Sequence, residues 1–161
     1  MQRLALLAIL VGGTLSAQTA NLLSNPGFED VADGRPAGWN AHNFGTGGLA
    51  RVETGGAHAG EHCVALESRE SSERIAWRSV VPLPVDTAYV AAGGWYRTEN
   101  VAEDGRRGAS FRVHFHATRD GKMSEIGLRQ DFFPPSAEWA RAGEKVYPVP
   151  PGAERSELLV C

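Results

Sequence analysis

The chain has 161 residues, a formal net charge of −3 and 22% charged residues, with 42% hydrophobic content. That balance offers no basic field for nucleic acid. Beyond a short apolar run at the N-terminus, no stretch is long enough to cross a bilayer as a helix, and the rest, about 140 residues, suits one domain with a real core.

Residues 1–20 have targeting composition. Arg3 gives a positive start, Leu4 to Val11 is almost unbroken apolar, and small residues follow from Gly12 to Ala17. The pattern predicts a secretory leader over residues 1–17, too short to span a bilayer alone. Cleavage is placed between 17 and 20, because cutting after Ala17 leaves Leu15 at the −3 position. A retained N-terminal anchor is the alternative. The expected product is secreted, periplasmic or held at the cell surface, with its domain at residues 21–161 and no membrane contact after cleavage.

Strand follows strand from there. Residues 21–29 read as a first strand ending in an Asn25-Pro26-Gly27 turn, and the loop through Gly34 and Pro36 delivers Trp39. Short strands are expected at 50–53 and 63–67, flanking a glycine-rich turn at 55–60. Residues 74–81 alternate, with Ile75, Trp77, Ser79 and Val81 against Ala76, Arg78 and Val80. Residues 88–97 form a longer strand carrying Tyr89, Trp95 and Tyr96, and Gly93-Gly94 marks a bulge. Residues 109–117 alternate cleanly, with Phe111, Val113 and Phe115 opposite Arg112, His114 and His116. Asp120-Gly121 is a strong hairpin signal, returning through 125–133. Residues 138–149 and 157–160 complete the series. The last segment stops in mid-strand, which leads us to expect a sandwich lacking its final strand, cut from a longer protein.

Short, evenly spaced strands with turn residues between them predict an all-β antiparallel sandwich. No helical period, internal repeat or low-complexity segment interrupts the pattern. Cys63 and Cys161 fit an exported chain, and the sequence leaves open whether they pair or stand apart.

Nothing points to a reaction. Glu67, Glu70 and Glu73 lie scattered in one polar loop, and Glu99, Glu103 and Asp104 in another, so no paired carboxylates for glycoside hydrolysis emerge. There is no Gly-x-Ser-x-Gly elbow, phosphate loop or His-Glu-x-x-His. Binding is better served. Sugars need flat apolar faces with polar groups beside them, which Trp77, Trp95 and Tyr96 supply as platforms and Arg112, His114 and His116 as a polar row on one strand face. Trp95 and Tyr96 are neighbours, so one of them at most faces a ligand. Trp39 and Trp139 read as packing residues at strand entries. His114-x-His116 also has zinc-ligand spacing, but a third ligand from His42, His58 or His62 is a guess.

The opening Asn21-Leu22-Leu23-Ser24-Asn25-Pro26-Gly27-Phe28-Glu29, followed by Pro36-Ala37-Gly38-Trp39, resembles the first strand and loop of carbohydrate-binding modules of families four and nine. Gly55 to Gly60 with Cys63-Val64-Ala65-Leu66, the Trp95-Tyr96 strand, the hairpin at Asp120, and Val149-Pro150-Pro151-Gly152-Ala153 continue the likeness in order. The resemblance implies a galactose-binding-like jelly roll that binds polysaccharide without catalysis, usually beside a covalently linked glycoside hydrolase. It implies that the polar row lies on a concave binding face. It also implies a structural calcium, with Glu29 and the Gly60–Glu61 turn as ligands, although the closing strand that would complete that site is absent. Two alternatives stand: the front end of a glycoside hydrolase, and an adhesion sandwich without sugar specificity.

Overall fold

The computed structural model describes residues 2–8, 20–70, 72–101 and 109–161, with backbone alone for 2–8 and 20. Its strands are β1 (Gln2–Ala8), β2 (Ala20–Asn21), β3 (Val31–Ala32), β4 (Arg35–Pro36), β5 (Asn40–His42), β6 (Leu49–Thr54), β7 (His62–Glu67), β8 (Ala76–Pro82), β9 (Tyr89–Tyr96), β10 (Ser110–Arg119), β11 (Lys122–Phe132), β12 (Ala140–Pro148) and β13 (Arg155–Val160). The fold is all-β, as the sequence predicts. One sheet runs β12-β9-β1-β7-β6 with β2 attached to β1, the other runs β11-β10-β13-β8-β5, and β3-β4 form a small hairpin. All described pairings are antiparallel. From β8 onward the chain passes repeatedly from one sheet to the other, so sequence neighbours end up in different layers.

The core forms where the two inner faces meet. Val64, Val90, Ala92, Tyr96 and Tyr147 come from one sheet, and Trp77, Val81, Phe111, Val113, Phe115, Leu158 and Val160 from the other. Phe111, Val113 and Phe115 are all at most 1% exposed, as their alternation requires. The Asp120-Gly121 turn forms with φ of 51° and 71°, joining the Arg119↔Lys122 pair. Both left-handed residues match the right-handed twist of the strands.

Residues 2–8 lie as β1 between β9 and β7, and the expected cleavage region lies mostly outside the described residues. Expectations for some later segments change. Residues 21–29 are mainly turn, because Pro26 has no N–H for a ladder and Phe28 takes φ 63°. Asn25 holds that turn together: its Nδ2 donates to Asp30 O at 2.8 Å and Ala37 O at 3.3 Å, and its carbonyl accepts Trp39 Nε1 at 3.0 Å. Trp39 is thereby fixed as a packing residue, as expected. The expected bulge at Gly93-Gly94 belongs to the facing strand, where the register shifts between Ala142 and Lys145. A Cβ on Gly93 would meet Glu144 Cγ at 3.1 Å, so glycine makes room for the bulge. Cys161 is a free thiol, so it does not pair with Cys63.

A second bulge lies on β11, where the register shifts opposite Phe115 and His116. It brings Gly127 against Pro150, whose Cγ would stand 2.9 Å from an added Cβ. A proline ring cannot swing aside. Gly127→Ala is therefore expected to lose about 1–2 kcal/mol in urea unfolding, despite the gain from a stiffer unfolded chain.

Two phenols tie the sheets together. Tyr147 on β12 donates to Asp131 on β11, and Tyr96 donates to Pro134 O at 2.9 Å. Burial raises the pKa of both, and for Tyr147 the Asp131 carboxylate adds to it. Burial also raises Cys161, against the opposing pull of Arg112 and Ser110. In all three the fold favours the protonated form. Their contribution is complete below the ordinary values of 9.0 for the thiol and 10.0 for the phenols, and is lost as pH rises through the folded-state values. Melting temperature should thus fall steadily above about pH 9. Tyr147→Phe should lower it at neutral pH by the equivalent of about 1 kcal/mol and flatten its alkaline decline.

Candidate functional site

The six ligand-binding residues expected from sequence do not form one site. Trp77 is 2% exposed and Tyr96 3%, both inside the core cluster. In β8 the parity that buries Ser79 and Val81 also buries Trp77 and turns Arg78 outward; in β9 the parity that buries Tyr96 turns Trp95 outward. Trp95 then lies on the outer face of one sheet, and Arg112, His114 and His116 on the outer face of the other.

The polar row is the richer surface. Register places Gln130, Arg112, Leu159, Arg78 and Asn40 in one line across β11-β10-β13-β8-β5. The next line holds Leu128, His114, Glu157 and Val80, and the third brings Glu125, His116, Arg155 and Pro82 together. His114 Nδ1 stands 2.6 Å from Glu125 Oε2. Glu157 is the shared anion at the centre: Arg155 Nη2 and His116 Nε2 each stand 3.6 Å from its Oε1, and Arg78 Nη1 3.8 Å from its Oε2. Those separations are electrostatic contacts, longer than hydrogen bonds. With the Gln130 amide turned so that its oxygen faces Arg112, that oxygen accepts Nε at 3.0 Å and Nη2 at 3.2 Å.

Phe44 completes this face. The Asn43–Thr46 turn closes through Thr46 N to Asn43 O at 2.9 Å, with φ of 51° at Phe44 and 73° at Gly45. A bulky residue in the left-handed region is strained, and such strain concentrates at working surfaces. The turn lays the Phe44 ring 5.6 Å from the Arg112 guanidinium and edge-on to His42 at 4.3 Å. A cavity of about 250 Å³ opens beside the turn, lined by His42, Asn43, Gly48 and Ile75 among others. Sequence reading missed Phe44, Arg78, Arg155 and Glu157. Phe44 was legible as an aromatic set between Asn43 and Gly45; Arg78 was legible as the outward partner of a buried Trp77.

On the opposite face, His58 stacks on Trp95 with centroids 3.9 Å apart and planes at 11°. Trp139 lies edge-on to His58 at 5.9 Å, with the Arg97 guanidinium 5.7 Å from the indole. Trp139, expected as a packing residue at a strand entry, packs here against His58 and stays partly exposed. His58 already covers a face of Trp95, which leaves less ring for a sugar.

Glu29 does meet the Gly60–Glu61 turn. Its Oε2 accepts the N–H groups of Glu61 at 3.0 Å and His62 at 3.3 Å. Calcium takes about six to eight oxygens. A single carboxylate receiving N–H donors fits it poorly, and among the described residues no group of three or more His, Cys, Asp or Glu could hold a metal. The same holds for the His114–His116 pair as a zinc site.

No protein-family model matches the chain, and no curated protein matches it. Among solved structures, the enzymatically active domain of tailspike protein 4 from bacteriophage CBA120 is similar, with a TM-score of 0.59 and 15% identity. The likeness covers 84% of this chain and 20% of that one, so this chain spans about a fifth of its length. At that identity the likeness speaks for the fold alone, and the fold it supports is an all-β sandwich.

Proposed function

We propose that this chain is an exported, non-catalytic carbohydrate-binding sandwich of jelly-roll type, akin to modules of families four and nine, holding an attached enzyme or surface near a polysaccharide. Tethering of this kind raises local concentration without new chemistry. The supporting observation is the half-buried row of Arg112, His114 and His116 beside the strained Phe44 ring: a flat apolar face next to several hydrogen-bonding groups. The carboxylates on this face, Glu125 and Glu157, each stand beside a histidine, and this reading gives neither of them a catalytic role.

Affinity electrophoresis against xylan, β-glucan, cellulose, galactan and polygalacturonate tests the role. Retardation on at least one is expected; free migration on all of them removes it. Phe44→Gly separates binding from folding. Glycine relaxes the left-handed turn, so melting temperature should hold or rise, while retardation weakens roughly three- to tenfold with the loss of one aromatic contact. Trp95→Ala should leave retardation unchanged; a loss there would move the site to the opposite sheet.

A further inference from the structure

We propose, building on the carbohydrate-binding role above, that this face selects polysaccharides bearing carboxylates, that is, chains of uronic acids. Three guanidiniums, Arg78, Arg112 and Arg155, face outward from adjacent strands of one sheet. Against them stand Glu157 and, at the rim, Glu125 and Glu154, the last held by Thr118 N and Oγ1 at 3.2 and 2.8 Å. The case rests on the donors being arginine, whose planar fork matches a carboxylate with two parallel hydrogen bonds.

The donors are also under-used. Nε of Arg78 and of Arg155 are buried atoms with no hydrogen-bond partner, as are Nε2 of His114 and of His116. Buried polar atoms normally find partners, so a cluster of four on one face calls for an explanation. Glu157 cannot satisfy its three neighbours: each stands 3.6–3.8 Å away, beyond hydrogen-bond length. A second carboxylate brought by a ligand would give Arg78 and Arg155 the close acceptor they lack. The histidines suit the rest of a sugar. His114 Nδ1 stands 2.6 Å from a Glu125 carboxylate oxygen, which leaves Nε2, without a partner, as the ring's second polar atom. Leu159, between Arg112 and Arg78 in register, is 2% exposed, while the Arg78 and Arg155 side chains are each 36% exposed and so within reach of a ligand.

The test is affinity electrophoresis on polygalacturonate, on the same backbone fully methyl-esterified, on neutral β-glucan and xylan, and on polyacrylate. Strong retardation by polygalacturonate with about tenfold less by its methyl ester is expected, since one charge-assisted hydrogen bond accounts for that much. Arg78→Gln and Arg155→Gln, checked for an unchanged melting temperature, should each weaken polygalacturonate binding about tenfold. Equal retardation by acid and ester, or by neutral glycans alone, would overturn the carboxylate selectivity and leave sugar binding standing. Retardation by polyacrylate as strong as by polygalacturonate would overturn it as well, since charge without a sugar would then suffice. Free migration on every glycan would remove the carbohydrate-binding role itself. If either glutamine variant unfolds, the methyl-ester comparison on the unaltered protein decides alone.

Discussion

Phe111→Ala is expected to cost about 3–5 kcal/mol, a large share of the roughly 5–15 kcal/mol that holds such a domain together. Phe111 is fully buried and packs edge-on against Phe133 at 4.5 Å, which in turn lies 5.0 Å from Tyr96. Truncation removes the ring from the junction of the two sheets and leaves a cavity that three rigid strands cannot close. Urea unfolding should show a lower midpoint at unchanged slope. Phe132→Ala is the control. That ring lies near the end of β11, 41% exposed, and its loss should cost under about 1 kcal/mol. Similar costs at the two positions would mean that the inner and outer faces of this sheet have been exchanged.

The second large effect is expected at Glu157. Its side chain is 14% exposed and sits among Arg78, His116 and Arg155. Glu157→Gln leaves the two guanidiniums facing one another without their shared anion, at a cost of about 1–3 kcal/mol, discounted from a fully buried pair because both arginines reach solvent. The same change removes the anion that repels an incoming carboxylate, so retardation on polygalacturonate should strengthen several-fold while melting temperature falls. A residue that merely props up the binding face would lose both together. Gain in binding with loss of stability is therefore the diagnostic pair, read by electrophoresis and thermal melting on one variant.

Much of the architecture was readable before folding was considered. The period-two pattern from Phe111 to His116 assigns both faces of β10 from local sequence, and side chains on a strand must alternate. The Asp120-Gly121 hairpin follows equally from backbone preference, since few other pairs accept two left-handed residues. The aromatics were harder. Trp77 and Trp95 look alike as large rings in alternating strands, yet one is core and the other surface, because only the packing of one sheet on another says which side of each strand is inside. The residues left for function divide the same way. Arg112, His114 and His116 share a strand, so sequence alone put them on one face. Arg78, Arg155, Glu157 and Phe44 join them from β8, β13 and the turn after β5, segments up to 113 positions apart in the chain (157 − 44). Alternation determined what each strand shows on its two sides; strand order, a property of the folded sheet, decided which strands stand side by side, and therefore which charges meet.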